Sequence, residues 1–126
     1  MKQVARIIEK WYEVNKRELP WRSNPSAYQI WLSEIIFQQT RINQGLAYYN
    51  RFIDKFPTIQ ELAQASIKDI LKLWQGLGYY SRARNLHKAA QIMSAQGGIP
   101  NQCDELIALP GIGDYTAKAI LAIAFN

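Results

Sequence analysis

Near the end of the 126-residue chain, Leu109-Pro110-Gly111-Ile112-Gly113 runs directly into an apolar-periodic stretch. Ala117, Ile120, Leu121 and Ala124 fall at i, i+3, i+4 and i+7, the spacing that puts one helix face into a core. Asp104 to Ala108 reads as a short preceding helix, turned by Pro110 and the two glycines. Helix, glycine hairpin and helix, over about 103–125, leave N–H groups of the hairpin and of the second helix's first turn without partners. Such groups form a concavity for an anion, and the helix dipole favours a phosphate there. Gly111 and Gly113 thus suit a grip on a DNA backbone, one that reads no sequence.

Composition fits that grip without proving it. The chain is long enough for one domain with a real core, and 48% of it is hydrophobic. Its formal net charge of +5 suits a polyanionic partner, although many proteins without one are equally basic. The single cysteine, Cys103, excludes an internal disulfide, and with one histidine it leaves no self-contained zinc or iron–sulfur site. The longest strongly apolar run, Ala119 to Phe125, is too short to span a bilayer. Met1-Lys2-Gln3-Val4-Ala5-Arg6 opens a charged amphipathic helix and not a secretory signal, so a reducing cytoplasm is the expected compartment.

The remainder reads as helices, and the class is all-α. Val4, Ile7, Ile8 and Trp11 stripe a first helix, and Leu19 to Pro25 forms a loop broken by two prolines. From Tyr28 to Gln39 apolar residues surround the axis, which predicts a central, buried helix. Ile42, Leu46, Tyr49, Ile53 and Phe56 predict another, ended by Pro57. Thr58 to Glu61 and Ser66 to Asp69 have the capping-box form that starts a helix. Gly76-Leu77-Gly78 then ends one helix before another from about Tyr79 to Gln96. No alternating run bounded by turns predicts a strand, and no linker divides the chain.

Three segments carry chemistry or its bland equivalent. Glu34 lies in Trp31-Leu32-Ser33-Glu34-Ile35-Ile36-Phe37, where nearly every neighbour is apolar. Burial disfavours an ionised carboxylate and raises its pKa, which is what a general acid needs near neutral pH. Equally, Glu34 can sit at the helix edge and bond a backbone group or an arginine. Gln38-Gln39-Thr40-Arg41 is either a solvated helix end or a set of donors and acceptors for base edges. Gly76 to Arg84 offers Tyr79 as a wedge between bases, with Arg82 and Arg84 on phosphates, or else an ordinary helix start with a core tyrosine. His87, Trp74, Tyr48, Tyr49 and Cys103 need only packing roles.

In combination and order these segments resemble the N-terminal part of MutY-type adenine DNA glycosylases, within the endonuclease III-like helix-hairpin-helix superfamily. The resemblance runs from about Trp11 to the last residue. It is carried by Leu19-Pro20-Trp21-Arg22, Trp31-Leu32-Ser33-Glu34, Gln38-Gln39-Thr40, Gly76 to Leu86 and Leu109 to Gly113. It implies removal of adenine mispaired with 8-oxoguanine or guanine in double-stranded DNA, in base excision repair, by a monomer on the bacterial chromosome. It makes Glu34 the acid that protonates the flipped adenine, and Tyr115 an active-site tyrosine. Arg17, Trp21 and Arg22 resemble positions around the adenine pocket; Gln39, Thr40 and Tyr79 resemble the mismatch-facing and wedge positions.

Tyr115 also separates two close relatives. Bifunctional endonuclease III-like enzymes place a lysine there for Schiff-base attack on the sugar, and a phenol cannot form that imine. Lys118 projects from a different part of the helix. The resemblance further implies a second catalytic Asp after the hairpin, a [4Fe–4S] cluster on four cysteines and a C-terminal domain that helps recognise 8-oxoguanine. None of these matches a position up to Asn126, since Asp104 and Asp114 flank or enter the hairpin. The reading is therefore a single partial helical catalytic domain over 1–126, incomplete at its C-terminal end and of low activity alone. A non-catalytic helix-hairpin-helix DNA-binding module and a bifunctional glycosylase/lyase are the alternatives.

Overall fold

The computed structural model describes residues 26–38 and 40–125. The expected first helix and the pocket candidates Arg17, Trp21 and Arg22 lie outside the described residues, as does Gln39. Seven helices fill the described part: α1 Ala27–Phe37, α2 Ile42–Lys55, α3 Ile59–Gln64, α4 Ile67–Trp74, α5 Tyr80–Ala95, α6 Cys103–Ile107 and α7 Asp114–Ala124. Among the described residues there is no strand.

Helix α1 starts at a reciprocal cap of the Ser-x-x-Gln form, Ser26 to Gln29. Ser26 Oγ accepts from the Gln29 backbone N–H at 3.1 Å, and the Gln29 side chain accepts from Ser26 N–H at 3.1 Å. The helix is apolar all round, and Ile30, Trp31, Leu32 and Ile36 are wholly buried. Such a helix has to be enclosed. Helices α2, α5 and α7 pack on it from separate sides. Tyr28 ties its first turn to the end of α2 by donating to Phe56 O at 2.6 Å. Burial pushes the Tyr28 hydroxyl well above the usual tyrosine range, with Tyr49 and Glu61 adding to it.

Helices α3 and α4 start as expected, with Thr58 and Ser66 hydroxyls accepting from Glu61 and Asp69 backbone N–H groups. Both pack on α5, the long helix at the back of the core. Trp74 at the end of α4 meets Phe52 edge-on, their centroids 5.9 Å apart, and Phe52 packs on Phe56 at 6.0 Å.

Of the stripe expected for α2, Tyr49 and Phe56 are buried and Leu46 and Ile53 pack against the core, while Ile42 is exposed; Gly45 and Phe52 are buried besides. The reason is a close approach at Gly45, where the Phe37 ring fills the space a side chain would need. A Cβ there would lie 2.5 Å from the ring, which in turn stacks on Tyr49. Glycine rotates the helix so that its barest point meets α1.

Gly45→Ala tests this contact. Alanine inside a helix ordinarily gains about 1 kcal/mol over glycine. Overpacking a buried ring costs about 1–3 kcal/mol and reverses that sign. Urea unfolding should therefore show a net loss of stability, and a net gain would contradict the packing described.

Candidate nucleic-acid interface

The hairpin between α6 and α7 is a tight turn with the expected chemistry. Pro110 and Gly111 occupy its two central positions, Ile112 N–H donates to Leu109 O at 3.2 Å, and Gly111 has φ +80°. Proline followed by a positive-φ glycine is the requirement of a type II turn. A Cβ on Gly111 would meet Asn85 Cβ at 3.2 Å, so the turn is seated directly on α5. Gly113 differs: its φ is −94°, nothing lies within 4 Å of a would-be Cβ, and it caps α7 without a side chain. The first N–H groups of α7 therefore open outward past a bare backbone. Asp114 in that first turn is held by Lys118, 3.0 Å away across an exposed ion pair. Its hydrogen bond pushes the Lys118 amine above the usual lysine range.

The second element is the glycine loop between α4 and α5. Gly76 and Gly78 have φ +100° and +74°, and Tyr79 adopts φ 50°, ψ 62°. Tyr79 is the one non-glycine residue at positive φ among the described residues, a conformation that costs about 1–2 kcal/mol. Its ring is 67% exposed, the most exposed large apolar side chain described. The loop carbonyls are fastened from several directions. Tyr48 Oη donates to Gln75 O, Gln44 Nε2 to Gly76 O at 3.4 Å, and Trp74 Nε1 to Gly78 O at 3.0 Å. Tyr79 O accepts from the Arg82 backbone N–H at 2.9 Å. Tyr48 is thus a support for the loop, beyond the core role expected of it. Arg51 lies over its ring at 4.8 Å.

The turn after α1 is the third element. Thr40 Oγ1 donates to Gln38 O at 3.1 Å, and Gln38 Nε2 donates to Thr116 Oγ1 at 3.4 Å, linking this turn to α7. The turn that holds Thr40 and the hairpin helix α7 are thereby brought together. Thr116 was not singled out, because its pairing with Gln38 spans most of the chain and leaves no local pattern.

Arg82 departs from its expected place on a phosphate. Nη1 donates to Ile35 O at 3.1 Å and to Gln38 O, while Nε and Nη2 are buried without a hydrogen-bond partner. Burial pushes its pKa below the usual arginine value, partly offset by Tyr79. The reason is the C-terminal end of α1, which exposes carbonyls and has no basic residue of its own in its last turn. Arg84, two residues on, is exposed on α5 beside the hairpin's seat and stays free to meet a phosphate.

Glu34 is buried within α1, 7% exposed, one turn before Gln38. It is not without a polar partner there. Tyr115, on the first turn of α7 next to Thr116, is 41% exposed. His87 is buried on α5 and Cys103 is partly buried at the start of α6, matching packing roles. Among the described residues no group of three or more His, Cys, Asp or Glu is placed to hold a metal. One cysteine cannot supply the four thiolates a [4Fe–4S] cluster takes, so these 126 residues do not fit that group. No helix among the described residues is long and apolar enough to cross a membrane.

Comparison with known proteins agrees with this geometry. Residues 32–124 match the model of the HhH-GPD superfamily base excision DNA repair protein. The chain is 42% identical over 125 residues to an adenine DNA glycosylase of Buchnera aphidicola, covering 97% of this chain and 36% of the relative. It is 43% identical over 127 residues to the human adenine DNA glycosylase, covering 92% of this chain and 23% of the relative. The chain thus spans about a quarter to a third of the length of these curated relatives. A thermostable thymine-DNA glycosylase superposes with a TM-score of 0.74 at 26% identity, over 97% of this chain and 57% of that one. An endonuclease III in a non-covalent DNA complex shares the fold, with a TM-score of 0.73 at 21% identity, over 97% of this chain and 60% of that one. A buried acid on the central helix, a seated glycine hairpin and a match over most of the length converge on one conclusion: the chain belongs to the HhH-GPD superfamily of base excision DNA repair proteins.

Proposed function

We propose that this chain carries the acid and much of the DNA grip of an adenine DNA glycosylase acting on adenine opposite 8-oxoguanine or guanine. The observation that carries the reading is Glu34, a carboxyl buried on α1, the helix against which α2, α5 and α7 pack. A module that only clamps phosphates has no use for a desolvated acid. Burial in general disfavours an ionised carboxylate, and the reading takes Glu34 as the proton donor to a base flipped out of the duplex.

In this reading Glu34 gives its proton to a ring nitrogen of the extruded adenine. The bond between sugar and base then breaks with its electron pair going to the base, leaving an oxocarbenium-like sugar. Water adds to the sugar and loses a proton, so no covalent enzyme intermediate forms. The alternative, amine attack, is disfavoured because Tyr115 occupies the attacking lysine's place and Lys118 stands elsewhere on α7. Asp114, inside the hairpin, does not match the position of the second carboxylate that would stabilise the sugar cation. The 126 residues alone are therefore expected to excise weakly, with full rates in a polypeptide that supplies that carboxylate and the [4Fe–4S] and 8-oxoguanine-reading regions of the family.

The bound partner is a mismatched duplex, held at Gly111, Gly113 and Arg84 and probed at Gln39, Thr40 and Tyr79. Arg17, Trp21 and Arg22 are assigned to the adenine pocket, with Tyr115 at its edge. The relatives' shared name, adenine DNA glycosylase, at 42–43% identity supports this specificity over the thymine-directed structural neighbour at 26%.

Glu34→Gln preserves shape and removes the proton. In the intact polypeptide it should lower single-turnover adenine release by about a thousandfold or more, with duplex affinity unchanged, since acid catalysis typically supplies factors of about 10²–10⁴. Release at the parent rate would remove Glu34 from its role. Gly113→Ala separates binding from folding. Its backbone tolerates alanine and its Cβ meets nothing, so thermal unfolding should stay within about 0.5 kcal/mol of the parent. Affinity for matched and mismatched duplexes should fall together, because the new methyl occupies the phosphate's approach. A loss confined to one mismatch would contradict the grip.

A further inference from the structure

We propose that Arg82 is a positioning residue that locks the Tyr79 loop to the turn after α1, so that both reach a duplex in one fixed register. The proposal rests on the reading that Tyr79 and Thr40 face a mismatch.

The charge on Arg82 is answered by backbone instead of a carboxylate. The ion pair found among the described residues is that of Lys118 with Asp114, on another face. Arg82 instead puts Nη1 on two carbonyls at the C-terminal end of α1, where the helix dipole concentrates negative charge. Helix α5 thereby caps α1 in trans. Gln38 O is the shared point, accepting from Arg82 and from Thr40 Oγ1, while the Gln38 side chain continues to Thr116 on α7.

The same guanidinium fixes the wedge. Its carbon lies 5.0 Å from the centroid of the Trp74 ring and 5.8 Å from that of Tyr79. Its backbone N–H holds Tyr79 O at 2.9 Å. One residue thus grips the left-handed tyrosine through main chain and side chain, and grips the end of α1 with its remaining reach. Buried Nε and Nη2 leave it unsuited to receive a phosphate oxygen. A flat, rigid fork suits this role, because it serves adjacent carbonyls with one nitrogen while its face lies against the rings.

The test uses the intact polypeptide with Arg82→Met, Tyr79→Ala and the pair, plus Arg84→Gln for comparison. Methionine keeps the stem and removes the donors; should it fail to fold, Arg82→Lys is measured in its place. Without DNA, amide exchange at Thr40 and Leu77 should rise together by about tenfold in Arg82→Met, with Ala89 and Ala90 in α5 unchanged. A rise at one site alone, or an even rise across the core, would overturn the proposal. With DNA, preference for adenine opposite 8-oxoguanine over a matched duplex should fall about tenfold in Arg82→Met. Tyr79→Ala should lose as much, and the double variant no more than either. The slope of log affinity against log salt should be unchanged in Arg82→Met and shallower by about one in Arg84→Gln. Additive losses, or a shallower slope in Arg82→Met, would make Arg82 a phosphate ligand. If the parent protein shows no preference for the mismatch, the glycosylase reading fails while amide exchange still decides the role of Arg82.

Discussion

Helix α1 has no face of its own for water, and the molecule is built to supply one cover after another. Helix α2 closes on it at the bare backbone of Gly45, α5 reaches its carbonyl end through Arg82, and α7 touches the turn beyond it at Thr116. A single carboxyl, Glu34, sits inside this cover. In the proposed reading this carboxyl is the proton donor, because burial in general disfavours the ionised form.

The three elements around that helix are joined by named contacts. The Gly111 turn sits on Asn85 of α5, the Tyr79 loop is held by α2, α4 and Arg82, and Thr40 is bound to the carbonyl that Arg82 also holds. In the proposed reading these contacts link phosphate grip, wedge and acid. Such linkage is how a site converts backbone binding, which carries no sequence information, into selection at one base pair.

Sequence made the helices legible where local patterns decide them. Thr58 and Ser66 announced their helices, Pro110 and Gly111 announced the turn, and the unbroken apolar run around Glu34 announced a buried helix. It failed where packing decides. The α2 stripe was legible apart from Ile42, but Gly45 was missed because it has no side chain to count, yet it is where α2 meets the Phe37 ring. Arg82 read as a phosphate ligand because its partners are main-chain oxygens from residues far away in sequence, and these have no signature. Thr116 was passed over, and Tyr48 read only as a core residue, for the same reason.

The state of the Glu34 carboxyl is the claim to measure. Infrared difference spectroscopy on the intact polypeptide carrying ¹³C-labelled glutamate, bound to a duplex with a non-cleavable adenine analogue opposite 8-oxoguanine, reads it directly. A protonated C=O stretch near neutral pH, absent in Glu34→Gln, is the predicted result. Carboxylate bands alone, with the group ionised while the duplex is bound, would contradict it.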